Sequence, residues 1–315
     1  MQIQSLSGEW QFSQAGRRDW LPAVVPGSVH LDLLAAGRIP DPFAADNERR
    51  VQWVAEADWE YRRVFTARPE LLAEDGLWLV CEGLDTLATV IFNGHELGQT
   101  DNMFRRYEWD VRPFILGPEA AGKPVDNQLV IRFASPVRFA AEKQAVRSLP
   151  GVSQAIAGGP HLRKAPCQFG WDWGPQLPPT GIWKDIRLEG RTGARMRDVH
   201  LRQAHAHGQV TVEVCVAVER LGPADGPLTA SARITAPDGV VVEGQAALGP
   251  GDRATIQLPI TQPQLWWPNG YGEQPLYQVG IEGRGQADRL GEACAVDRGL
   301  AVEALLVEDY RNPKP

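Results

Sequence analysis

The chemistry available to this sequence is concentrated in one short run, Cys167-Gln168-Phe169-Gly170-Trp171-Asp172-Trp173-Gly174-Pro175. Two indoles flank one carboxylate, a glycine stands on either side, and a proline closes the run. Gly and Pro interrupt strand pairing and packing, so the run reads as a shaped loop and not as a regular central strand. Sugars present C–H faces that lie against aromatic rings, and hydroxyls that a carboxylate accepts in charge-assisted hydrogen bonds. The pattern therefore suits a carbohydrate subsite. It suits equally a tryptophan corner packed into a core, with Asp172 capping a turn, and the residues alone leave both readings open.

Other candidates are poorer. Leu265-Trp266-Trp267-Pro268-Asn269-Gly270-Tyr271-Gly272 is an aromatic loop that fits either a sugar platform or packing between domains. Ser28-Val29-His30 has the residue types of a nucleophile and a base, but its spacing fits a helix cap better. No G-x-S-x-G, phosphate-binding loop or dinucleotide fingerprint is present. The histidines form one cluster, His200, His205 and His207. His205 and His207 would share a face in a strand, yet a solvated stretch between domains is the simpler reading. Cys81, Cys167, Cys215 and Cys294 are dispersed and never form Cys-x-x-Cys. They read as buried reduced thiols of a cytoplasmic protein, which argues against a zinc site and a disulfide scaffold. No metal and no cofactor is expected.

The elements that must position these residues are mostly strands. Residues 60–65, 77–81, 87–92, 107–111 and 129–133 are short apolar or β-branched runs bounded by Gly, Pro, Asn or Asp. Asn93-Gly94 between two such runs predicts a type I′ hairpin. One helix is expected from an N-cap at Ser28 to a stop at Gly37. Another should run from Ser135, with Pro136 in its first turn, to Arg147. Beyond about residue 190 the rhythm changes. Val210, Val212, Val214, Val216 and Val218 alternate with Thr, Glu, Cys and Ala, and further strands are expected at 228–235, 240–245, 254–259 and 276–282. That spacing suits a small immunoglobulin-like sandwich, with a boundary near Arg191-Thr192-Gly193-Ala194.

A chain of 315 residues exceeds one ordinary core and suggests about two domains. The net charge of −7 disfavours a nucleic-acid partner. No apolar run approaches the ~20 residues that span a bilayer, and Met1 to Trp10 carries no basic-then-apolar leader. Neither membrane nor nucleic acid is an expected partner.

Several stretches together resemble the β-mannosidases of glycoside hydrolase family 2. They are Leu6-Ser7-Gly8-Glu9-Trp10, Val25-Pro26-Gly27-Ser28-Val29-His30, Ile39-Pro40-Asp41-Pro42-Phe43 and Asp58-Trp59-Glu60-Tyr61-Arg62-Arg63. Gly83-Leu84-Asp85-Thr86-Leu87 through Asn93-Gly94 and Asp101-Asn102-Met103-Phe104-Arg105 follow in family order. The Phe169-to-Pro175 loop, Gly181-Ile182-Trp183-Lys184-Asp185-Ile186 and the Trp266-to-Tyr277 segment complete the set. The Gly-Ile-Trp-Lys-Asp-Ile stretch is shared across the family in kind, whereas the Trp-Asp-Trp loop points to mannosidases.

The resemblance implies an all-β chain. Residues 1–190 would form a jelly-roll-like, galactose-binding-like β-sandwich and residues 191–300 an immunoglobulin-like β-sandwich. The tail 301–315 would begin a missing (β/α)8 barrel or be an unrelated extension. It also implies hydrolysis of terminal non-reducing β-D-mannose from oligosaccharides, by a retaining path through two glutamates about 5–5.5 Å apart. Trp171 and Asp172 would hold the terminal mannose from an exposed loop at one rim of the first sandwich, and Trp173 would serve packing. A β-mannoside or manno-oligosaccharide is thus the expected ligand, and the barrel domain the expected protein partner. Such a barrel needs about 250 residues, so no catalytic residue is expected in this chain. Asn47-Glu48, the only Asn-Glu pair, belongs to an N-terminal loop and should not be read as catalytic. Leu265-Trp266-Trp267 is expected to contribute exposed apolar surface. A stand-alone carbohydrate-binding module and a purely structural β-sandwich remain as alternatives.

Overall fold

The computed structural model describes residues 1–118, 125–221, 226–285, 295–298 and 302–305. The chain divides into two compact units, Gln2–Gly190 and the residues from Arg191 onward. Both are built from strands.

In the first unit a six-stranded antiparallel sheet runs Leu21–Val25, Gly8–Gln14, Trp59–Thr66, Asp126–Phe133, Ala88–Phe92, His95–Thr100. A four-stranded sheet runs Gln2–Ser5, Ile186–Arg191, Gly76–Cys81, Tyr107–Asp110. Period-two burial shows why these residues pair. Along Asp126–Phe133 the side chains of Asn127, Leu129, Ile131 and Phe133 are buried while their neighbours turn outward. Trp10, Phe12, Tyr61 and Phe133 from one sheet share a single core with Leu77, Leu79, Cys81 and Leu188 from the other. Each such side chain contributes about 1.5–3 kcal/mol on burial, so the sandwich is a stiff base for its loops. Asn93 and Gly94 close the expected hairpin with φ of 48° and 84°, both in the left-handed region that a type I′ turn requires.

The helices are short insertions. In Pro136–Val146, Ser135 caps as expected, its hydroxyl accepting from the Arg138 amide at 3.0 Å. Val29–Ala35 ends before Gly37, whose φ is +64°. Ser28 occupies the N-cap position without a capping side-chain bond. The helix start is instead tied by the Val29 amide to the Thr180 carbonyl, and by the Gly27 amide to that of Ile182.

The second unit pairs Gly193–Ala206, Gln209–Leu221 and Arg253–Ile260 in one antiparallel sheet. Val241–Ala247, Leu228–Thr235, Tyr277–Gly285 and Ala295–Arg298 form another, and Val302–Leu305 also pairs with Tyr277–Gly285. Val210, Val212, Val214 and Val216 meet Ala254, Ile256, Leu258 and Ala230 in its core. The all-β reading is correct.

Three expectations need correction. Of the cysteines, Cys81 is buried, but Cys215 is only partly so and Cys167 is exposed; Cys294 lies outside the described residues. His205 lies in a strand, whereas His207 turns the following hairpin with φ +50°, so they share no strand face. No metal-competent group of His, Cys, Asp and Glu occurs among the described residues. Trp266 and Trp267 are half-buried, and the Trp267 ring lies so close over Gly272 that a Cβ there would approach Cδ1 to 2.7 Å. The exposed apolar groups of that region are Tyr271 and Leu276. No helix among the described residues is long and apolar enough to cross a membrane.

Candidate functional site

The Trp-Asp-Trp run leaves the short 3-10 turn Pro166–Phe169 and returns to the two-residue strand Gly181–Ile182, which pairs with Leu84–Asp85. Its tip is a tight turn. The Trp171 amide donates to the Gly174 carbonyl at 3.1 Å, and the Gly174 amide to that of Trp171 at 3.4 Å. Trp171 is 42% exposed, Trp173 82% exposed, and Asp172 is exposed between them. The two indoles are tilted against each other at 5.4 Å. Trp173, expected as a packing residue, instead presents most of its ring to solvent.

Three sets of contacts hold this tip. At the neck, Lys164 has no exposed side-chain surface. Its ammonium donates to Asp85 Oδ1 and Oδ2 at 2.5 and 2.6 Å and to the Pro179 carbonyl at 2.6 Å. All three N–H groups are thereby used, and one side chain ties the two ends of the loop to the strand that receives it. Burial lowers the Lys164 pKa, opposed by the Asp85 carboxylate. Thr86 Oγ1 also donates to Asp85. His30 lies within the field of this ammonium, and burial first, then Lys164, brings its pKa down to about 4. His30 Nδ1 is buried with no hydrogen-bond partner among the described residues.

At the waist, the Leu177 amide donates to the Gln168 carbonyl at 3.1 Å. The Gln176 amide donates to Glu48 Oε1 at 2.7 Å, Gln52 Nε2 donates to the Gln176 carbonyl at 2.8 Å, and Gln176 Nε2 donates to the Gln154 carbonyl. Gly170, φ +102°, has room for no side chain: a Cβ would come within 2.5 Å of Gln176 Cγ. Beneath, Phe169 is buried with Ala140 and Leu162, and its carbonyl accepts from the Ile156 amide. On the third side, Met103 is buried beside the neck, its amide bonded to the Arg163 carbonyl. The Trp183 indole holds the Met103 carbonyl at 3.1 Å.

The structure thus brings Glu48 to the loop that carries Trp171 and Asp172, although more than 100 residues separate them in sequence, and gives it a hydrogen-bonding role there. Lys164, Asp85, Gln52 and Gln176 were not singled out from sequence. One signal was available: Asp85 lies in Leu84-Asp85-Thr86-Leu87, and a carboxylate in an apolar run needs a buried partner. Ser28 and His30 form no nucleophile–base pair, since the hydrogen bonds of the region place Ser28 at the start of a helix and leave His30 Nδ1 unpartnered.

Such a tip offers aromatic faces and an ionisable acceptor on a pre-formed support, which is a means of binding a polyhydroxylated ring. Residues 10–184 match the family model described as glycosyl hydrolase 2 galactose-binding domain-like, and residues 194–292 match glycosyl hydrolases family 2. Beta-mannosidase B of Emericella nidulans is 32% identical over 284 residues, covering 88% of this chain and 32% of the relative. Beta-mannosidase of Bos taurus is 29% identical over 291 residues with the same coverages. The crystal structure of a β-D-mannosidase from Dictyoglomus thermophilum superposes with a TM-score of 0.77 at 34% identity, over 94% of this chain and 36% of that one. An exo-chitosanase from Amycolatopsis orientalis, at 17% identity and a TM-score of 0.60, shares the fold. The chain spans about a third of the length of the curated relatives it matches.

Proposed function

The chain belongs to glycosyl hydrolase family 2, and on that premise we propose that it serves β-mannoside hydrolysis by recognition, holding the terminal mannose on the Trp171–Asp172 tip. The observation that carries this reading is the exposed indole and carboxylate on a turn pinned at neck and waist. An indole face packs against sugar C–H groups, and an ionised carboxylate accepts from hydroxyls with roughly twice the strength of a neutral acceptor. Rigidity matters because a loop already in its binding shape loses little entropy on capture.

Cleavage is a separate task. A retaining path needs an acid at the leaving oxygen and a nucleophilic carboxylate about 5–5.5 Å away. Asp172 is one carboxylate, and Glu48 is bound to the Gln176 amide. On this reading the first unit supplies recognition, and the cleaving pair belongs to a further domain of the β-mannosidase type. Half a subsite gives an affinity at the millimolar level, about 4 kcal/mol.

The test is a tryptophan-fluorescence titration of the chain with methyl β-D-mannoside and with its C2 epimer, methyl β-D-glucoside. The reading expects a saturable change with the mannoside, weaker with the glucoside, and absent in Asp172→Ala. Equal responses of the native chain and Asp172→Ala would refute it.

A further inference from the structure

We propose that Glu48 is a positioning residue for sugar recognition: its carboxylate, acting through the Gln176 backbone, fixes where the Trp171–Asp172 tip points. The inference rests on the reading of that tip as a mannose site.

Each part of the loop has its own support. Lys164 ties residues 164 and 179 to Asp85, which secures the neck. A pinned neck alone leaves the limbs above it free to splay. The returning limb is secured at Gln176, where the amide donates to Glu48 Oε1 at 2.7 Å and the carbonyl accepts from Gln52 Nε2 at 2.8 Å. Gln52 also donates to the Glu48 carbonyl at 2.9 Å, so both side chains come from one short segment, 48–52, acting as a single clip. Gln176 in turn occupies the space beside Gly170, the residue that precedes Trp171. Shifting Gln176 therefore releases Gly170, and with it the reciprocal Trp171–Gly174 turn. A carboxylate bound to a backbone amide is a charge-assisted bond and the strongest single contact available at this level. A site whose support loosens by an ångström keeps its residues and loses its affinity.

This assigns a task to the acidic residue of Asn47-Glu48 that needs no proton transfer. What Glu48 must supply is an acceptor oxygen at fixed reach, strengthened by its charge, so an amide of the same length should replace it in part and a methyl should not.

The experiment compares Glu48→Ala, Glu48→Gln and Gln52→Leu with the native chain. Amide hydrogen exchange is read at residues 171–174 and in the strand Asp126–Phe133, and methyl β-D-mannoside affinity is measured in parallel. Glu48→Ala should speed exchange at the Trp171 and Gly174 amides and weaken the mannoside by about tenfold each, with strand protection unchanged. Glu48→Gln, which keeps the acceptor and loses its charge, should lie between the native chain and Glu48→Ala in both readouts. Gln52→Leu should move both in the direction of Glu48→Ala, which keeps the test open if that variant folds poorly. Unchanged exchange at Trp171 and Gly174 in Glu48→Ala overturns the proposal whatever binds. So does faster tip exchange with undiminished affinity, or a Glu48→Gln chain as impaired as Glu48→Ala. Absence of mannoside binding by the native chain would instead refute the functional reading on which the proposal rests.

Discussion

Asp172 and Lys164 are charged side chains of one loop region, and their surroundings give them opposite tasks. Asp172 is exposed at the tip of the turn. Asp172→Ala should leave the urea midpoint within about 0.5 kcal/mol of native while removing mannoside binding. Lys164→Met leaves the Asp85 carboxylate buried without its cation and should cost about 3–5 kcal/mol in the same unfolding experiment. His30 adds a pH dependence. Its folded pKa of about 4 lies below its ordinary 6.5, so the unfolded chain binds the proton more readily between those values. Its contribution is full above pH 6.5 and is lost as the pH falls toward 4, on the order of 3 kcal/mol in all. Melting curves of His30→Gln should lack that part of the slope; an unchanged profile would contradict it. Residue types exposed Trp171 and Asp172 in the sequence because Gly and Pro mark the loop around them. Lys164 and the supporting role of Glu48 were hidden because their partners lie 79 and 128 residues away, a distance that no local pattern encodes, whereas Asp85 carried one local sign, a carboxylate in an apolar run.

At the level of elements, period-two alternation made the strands legible, and Asn93-Gly94 made its hairpin legible, because both depend on a few consecutive residues. Loop support depends on contacts between segments and was not legible. Ser28 shows the limit: its type fits an N-cap, but the Thr180 and Ile182 carbonyls tie that helix start through backbone bonds. Gly170 is the element-level test. With φ at +102° and Gln176 Cγ 2.5 Å from any Cβ, Gly170→Ala combines a disfavoured backbone with a clash. It should lower stability by about 1–3 kcal/mol and abolish mannoside binding. A fully stable Gly170→Ala chain that still binds would show that the waist does not set the tip.

For the whole molecule, each unit has its own apolar core, and the tip together with all three of its supports belongs to the first. Residues 1–315, purified as such and incubated with a chromogenic β-mannoside, should release no chromophore above background; turnover abolished by Asp172→Ala would place cleavage in the first unit. The 11 tryptophans allow the place where the sugar binds to be tested directly. In a 1H–15N correlation spectrum of the indole N–H groups, methyl β-D-mannoside added across the millimolar range should shift the Trp171 and Trp173 signals, assigned by Trp→Phe substitution. It should shift neither in Asp172→Ala. Shifts confined to Trp266 and Trp267, or none at all, would contradict the account.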